Sequence, residues 1–193
     1  MRASLAVCLL SFGCSADRPS YTEARMSQVK QLARQASHVD TVVLGDSITE
    51  QTSLEGACGL TFNAGVGGAK VRHVRRIAEA TRHLSPRIIV LAIGTNDLWK
   101  DEPANFRSDY RAVVDSVGPK VLVGTPNSEA ASAFIRSEAQ RISATYIPPV
   151  TGKLTSDGVH LTSAGRREYR RRIQDACDKA NVLHRPAPAT SAQ

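Results

Sequence analysis

The chain has 193 residues, 41% of them hydrophobic and 22% charged, with a formal net charge of +7. That length gives one domain with short tails and a single core, and no apolar run is long enough to span a bilayer as a helix. The basic balance points to acidic partners or to a solvated cationic surface; with aromatics at 5% and no nucleic-acid motif, nucleic acid is not expected among the partners.

The first residues, MRASLAVCLLSFGC, have the build of an export signal. Arg2 gives a positive start, and Leu5–Phe12 is an apolar stretch too short to cross a membrane. Cys14, preceded by Gly13, resembles a bacterial lipoprotein processing site, with Ser11 standing where an aliphatic residue is usual. A simple cleaved signal ending near Ala16, or a start at Met26 without export, are the alternatives. The expected division is an export signal over 1–19, a domain over 20–184 and a disordered Pro/Ala-rich tail over 185–193. Export implies a periplasmic or envelope location, with membrane attachment if Cys14 is lipidated. Cys58 and Cys177 lie outside the signal; an oxidising compartment lets them pair, the alternative being two buried free thiols.

Beyond the signal, Ser20 to Ser37 favours helix. Ser20 and Glu23 fit a capping box, and Met26, Val29, Leu32 and Ala33 recur at helical spacing. Asp40–Leu44 is the first strand, ending in three hydrophobic residues of which two are β-branched. Gly45 and Asp46 stop it, and Ser47 sits where strand gives way to turn or helix. Leu60–Phe62 is a brief second strand running into the turn Asn63-Ala64-Gly65-Val66-Gly67-Gly68. A helix over Val71–Leu84 and a third strand over Arg87–Ile93 come next, closed by Gly94-Thr95-Asn96-Asp97. Pro103 opens a helix that Gly118-Pro119 stops, and Lys120–Gly124 is the fourth strand. Ser128–Ser143 is helical, Ala144–Ile147 is the last strand, Pro148–Asp157 is loop, and Thr162–Ala180 is a long final helix. This alternation predicts an α/β protein: a parallel sheet with helices on both faces and right-handed crossovers.

The polar clusters fall just after strands, and in a parallel sheet those ends share one edge. Ser47 follows the first strand, Gly65 the second and Asn96 the third, while Asp157 and His160 lie on the loop after the last. A serine hydroxyl needs a base within hydrogen-bond reach to act as a nucleophile. Of His38, His73, His83, His160 and His184, only His160 falls on a loop at that edge. Asp157, three residues earlier, suits the task of orienting the imidazole, although Asp-Gly is also a common turn. The backbone N–H groups of Ser47 and Gly65 and the side-chain amide of Asn96 are candidate donors to an oxyanion. The glycines read equally as a connector; a phosphate loop is weakly supported, because Gly68-Ala69-Lys70-Val71 lacks the Gly-Lys-Ser/Thr ending.

GDSIT with Ser47, NAGVGG with Gly65, GTND with Asn96 and DGVHLT with Asp157 and His160 resemble, in order, the four blocks of the SGNH hydrolases, also called the GDSL family. The resemblance covers about Asp40 to Gly165. It implies a flavodoxin-like three-layer α/β/α sandwich around a parallel five-stranded sheet. It also implies Ser47 as nucleophile, His160 as base and Asp157 as its partner, with Ser47, Gly65 and Asn96 forming the oxyanion hole. No metal or organic cofactor is called for.

The expected activity is a serine esterase acting on a short acyl group, acetyl above all, carried by an envelope or extracellular carbohydrate. A lysophospholipase or short-chain lipid esterase, an O-acetyltransferase using the same site, and a non-catalytic glycan-binding protein are the other readings. Trp99, just after GTND, is placed either to stack on a sugar or to pack. Arg166, Arg167, Arg170, Arg171 and Arg172 form either a docking strip for an acidic surface or a solvated face with pairs such as Glu168 to Arg172.

Overall fold

The computed structural model describes residues 20–100 and 102–183. The expectations for the export signal with Cys14, for His184 and for the tail lie outside the described residues.

Five strands form one parallel sheet in the order β2-β1-β3-β4-β5: β1 Thr41–Gly45, β2 Thr61–Gly65, β3 Ile88–Ala92, β4 Val121–Val123 and β5 Thr145–Ile147. The strand after β1 lies on one side of it and β3 on the other. The order therefore reverses at β1, which is where an open α/β sheet leaves a crevice at its carboxyl edge. Side-chain alternation along the strands builds a core on each face. Val42, Leu44, Leu91 and Leu122 pack among Met26, Val29, Val74, Phe106 and Ile135 on one side. Val43, Val90, Val121 and Val123 pack with Tyr169, Ile173 and Ala176 on the other.

The first face is covered by α1 Tyr21–Gln35, α3 Val71–Thr81, α4 Phe106–Val117 and α5 Glu129–Arg141, the second by α6 Ser163–Leu183. Their ends obey the capping chemistry. Ser20 Oγ accepts from the Glu23 N–H at 3.3 Å, and Ser128 Oγ from the Ala131 N–H at 3.2 Å. Gly118, in the left-handed region, closes α4 with its N–H on Val114 O. Cys58 and Cys177 are joined, tying the stretch before β2 to the middle of α6.

Several boundaries differ from the sequence expectation. β2 runs on through Asn63, Ala64 and Gly65, because these residues pair in register with Val43, Leu44 and Gly45. A single helical turn, α2 Ser47–Glu50, comes directly after β1, where the sequence leaves turn and helix both open. α4 begins at Phe106 rather than Pro103: the Pro103 carbonyl accepts from the Phe106 N–H in a preceding turn. α3 ends at Thr81 and gives way to a 3-10 turn over Arg82–Leu84.

Candidate active site

Ser47 is the first residue of α2, and the strand end before it dictates where it points. Asp46, 2% exposed, caps the turn: its Oδ1 accepts from the Ile48 N–H at 3.0 Å. The Ser47 N–H, one of the donors a helix start leaves over, has no protein acceptor among the described residues. Thr49 anchors the turn from below through a buried hydroxyl contact of 3.0 Å with Tyr169 of α6. Burial pushes the Asp46 carboxyl up to about 6, against the Ile48 N–H and the Thr95 hydroxyl, which pull it down.

The loop from a 3-10 turn over Gly152–Leu154 to α6 carries Asp157 and His160. It is pinned at its base, where the Thr162 N–H donates to Leu154 O and the Ser156 N–H to His160 O. Gly158 has φ +85, a turn that an L side chain resists. This turn folds the Asp157 carboxylate back over Val159 and His160. Its Oδ1 accepts from the N–H groups of Val159 at 3.0 Å and His160 at 2.7 Å, and its Oδ2 lies 2.7 Å from His160 Nδ1. The bond from the His160 ring, then the two backbone donors, hold Asp157 well below the usual carboxylate range. An ionised carboxylate only accepts, so Nδ1 carries the proton and Nε2 presents its lone pair. That nitrogen lies 3.2 Å from Ser47 Oγ. Hydroxyl, imidazole and carboxylate thus stand in line at the carboxyl edge of the sheet.

The loops after β2 and β3 meet beside them. Asn96 Nδ2 donates to Ala69 O at 2.9 Å, which leaves its second amide hydrogen without a protein acceptor among the described residues, and Asp97 Oδ2 accepts from the Val71 N–H at the start of α3. Gly65 is differently engaged from the sequence expectation. Its N–H donates to Asn63 Oδ1 at 2.9 Å and so is not free for a ligand. A Cβ there would collide with the backbone of Thr49 and Glu50, so the glycine lets β2 lie against α2. Along the same loop the N–H groups of Val66, Gly67, Ala69 and Lys70 go to Gly45 O, Glu50 Oε2, Val66 O and His73 Nδ1. The Gly68 N–H is left without a protein acceptor among the described residues. Three neighbouring glycines look alike in the sequence; only the hydrogen-bond accounting separates them.

Two other histidines serve local structure: His73 Nδ1 accepts from the Lys70 N–H at the start of α3, and His83 Nε2 lies 2.8 Å from Ala33 O. The arginines of α6 are largely engaged. Arg172 bonds Glu168 at 2.8 Å as the spacing predicts, and also the Pro148 and Pro149 carbonyls; Arg171 bonds Glu168 and Asp175; Arg170 holds Glu55 O. Trp99 is 61% exposed, three positions beyond Asn96. Among the described residues no cluster of three or more His, Cys, Asp or Glu side chains is arranged to hold a metal.

The model of the GDSL-like lipase/acylhydrolase family matches residues 43–191. Among solved structures, a GDSL-like lipase from Bacteroides thetaiotaomicron is 18% identical, with 81% of this chain and 98% of that one covered and a TM-score of 0.58. A carbohydrate acetylesterase from Sinorhizobium meliloti is 17% identical over 75% of this chain and 99% of that one, TM-score 0.54. The catalytic domain of a peptidoglycan O-acetyltransferase from Streptococcus pneumoniae is 18% identical over 77% and 95%, TM-score 0.50. No curated protein matches the chain. At these identities the structures speak for the fold, and the family match speaks for the lineage: the chain belongs to the GDSL-like lipase/acylhydrolase family.

Proposed function

We propose that the protein is a serine esterase that removes short acyl groups, acetyl above all, from a carbohydrate. The observation that carries this reading is the line Ser47 Oγ, His160 Nε2, His160 Nδ1, Asp157 Oδ2, with contacts of 3.2 and 2.7 Å. Ser47 Oγ attacks the ester carbonyl while His160 Nε2 takes its proton, and Asp157 stabilises the resulting imidazolium. The oxyanion is received by the N–H groups of Ser47 and Gly68 and by the free amide hydrogen of Asn96, with Gly68 in place of the expected Gly65. Collapse expels the alcohol, protonated by His160. Water then attacks the acyl-Ser47, again with His160 as base, and the acid leaves.

Two features support a small acyl group on a sugar. Trp99, three positions beyond Asn96, offers an exposed ring suited to stacking on a sugar face. A carbohydrate acetylesterase is among the similar folds. Hydrolysis is favoured over transfer to a second sugar by the openness of the base: the side chains of His160 and Asp157 are 36% and 49% exposed, so water reaches the acyl-enzyme. Export belongs to the same reading, supported by the Cys58–Cys177 bond, which suits an oxidising compartment. Attachment through Cys14 is its finer form, checked by fatty-acid labelling that Cys14→Ser abolishes.

The decisive experiment compares acetylated sugars with p-nitrophenyl esters of rising acyl length, using Ser47→Ala as control. Turnover should fall steeply beyond the shortest acyl groups and vanish in the control. Full p-nitrophenyl acetate turnover by Ser47→Ala overturns the assignment.

A further inference from the structure

Helix α1 precedes the segment matched by the family model, yet it touches the loop after β2 at several points. Thr22 Oγ1 donates to Gly67 O at 2.9 Å. Arg25 Nε reaches Gly65 O at 3.1 Å and Glu50 Oε1 at 3.0 Å, and the Tyr21 hydroxyl donates to the same Oε1 at 2.7 Å. Glu50 stands on the helical turn that opens with Ser47, and its Oε2 accepts from the Gly67 N–H at 2.6 Å. The Arg25 and Glu50 side chains are only 16% and 15% exposed, so solvent screens this pair less than an ordinary surface pair.

Thr22 bears directly on the Gly67–Gly68 peptide, while Glu50 and Arg25 hold the two units before it, Val66–Gly67 through its N–H and Gly65–Val66 through its carbonyl. Gly67 O and the Gly68 N–H belong to the same planar trans unit, so they point in opposite directions. Fixing the oxygen toward α1 turns the N–H away from α1. Without a restraint, the run Val66-Gly67-Gly68 has the backbone freedom to rotate that unit, and a rotated unit would present a carbonyl oxygen, a repulsive neighbour for developing negative charge. Donors stabilise an oxyanion most when they are already in place, with no reorganisation during the reaction.

We propose that α1 is a working part of the site: Thr22 holds the Gly67–Gly68 peptide directly and Arg25, through Glu50, fixes the Val66–Gly67 peptide before it, positioning residues that together make the Gly68 N–H a preorganised oxyanion donor. Glu50 couples the Val66–Gly67 peptide to the helical turn bearing Ser47, so nucleophile and donor loop are set together. This rests on the reading of Ser47 as nucleophile and Gly68 N–H as donor.

The test uses the full chain with p-nitrophenyl acetate as substrate. Thr22→Val keeps the shape and removes the hydroxyl; it should lower kcat about 10- to 100-fold with KM within about twofold, since a donor acting on the transition state alone is displaced. Thr22→Ser restores the hydroxyl and should recover most of kcat. Glu50→Gln should lower kcat several-fold in the same pattern. Binding of a boronic acid that forms a tetrahedral adduct should weaken in step with kcat. The proposal is overturned if Thr22→Val keeps full kcat, if Thr22→Ser falls equally far, or if the whole loss appears in KM. Should Thr22→Val fail to fold, Thr22→Ser and Glu50→Gln decide it: loss of kcat in Glu50→Gln alone supports it, and wild-type values in both overturn it. An active Ser47→Ala would instead remove the underlying reading, whereas an inactive Ser47→Ala beside a fully active Thr22→Val removes only the role of α1.

Discussion

Ser47 Oγ and His160 Nε2 stand 3.2 Å apart although 113 positions separate them in the chain. Each is set by its own turn, one capped by Asp46 and the other folded over Asp157. Ser47→Ala and His160→Ala are each expected to lower kcat on p-nitrophenyl acetate by roughly 10⁴- to 10⁶-fold. Asp157→Asn, which leaves Nδ1 without its anionic partner, should cost on the order of 10²- to 10⁴-fold. All three should keep the far-UV circular dichroism of the parent. Steady-state kinetics on the purified variants checks this.

Asn96 and Gly65 should fail in different ways. Asn96→Ala removes a candidate oxyanion donor and is expected to lower kcat about 10²- to 10³-fold. Gly65→Ala forces a methyl into the backbone of α2, so its main effect is a lowered denaturant midpoint, with activity lost through unfolding. Urea titration beside kinetics separates the two.

Asp46 makes stability depend on pH in an unusual sense. Its folded-state value, about 6, lies above that of an unfolded aspartate, so the folded chain holds the proton more tightly. Its contribution is full below about pH 4, falls as pH rises through about 6, and is then flat, with a total of about 3 kcal/mol at most. Asp46→Asn keeps a capping oxygen for the Ile48 N–H and cannot ionise. The difference in urea midpoint between variant and parent should therefore move in favour of the variant from pH 4 to pH 7. A constant difference would refute the assignment.

The bond between Cys58 and Cys177 closes a loop spanning 119 positions. A loop that long restricts the unfolded chain strongly, and the double replacement by serine should cost about 2–5 kcal/mol. Below the lowered melting midpoint the esterase activity should persist, because neither sulfur touches the reacting groups. Thermal melts with and without reductant, paired with assays at low temperature, check both halves.

The sheet is legible in the sequence because its signals are local: RIIVLAI and VVLG are short apolar runs closed by turn residues, and a parallel topology then gathers Ser47, Asn96 and His160 at one edge. The one-turn helix α2 is legible only as a choice between turn and helix, because four residues carry no periodicity. The extension of β2 through Asn63 and Gly65 is hidden for the opposite reason. Asn and Gly are turn formers by propensity, and only pairing with Val43 and Gly45 draws them into a strand. Gly65 reads as a donor because glycine permits close approach; what approaches it is the backbone of α2, and its N–H is committed to Asn63. Glu50 gives no signal, since a carboxylate after GDSIT looks like any exposed helix residue until Arg25 and Tyr21 are brought against it.

The segment matched by the family model begins at residue 43, after α1 has ended. A shortened product starting at Met26 would keep every group that reacts with an ester and still lack Tyr21, Thr22 and Arg25. Such a truncation would look intact by motif and be slow in the assay. On the proposal made for α1, the segment matched by the family model and the competent catalyst begin at different places along this polypeptide.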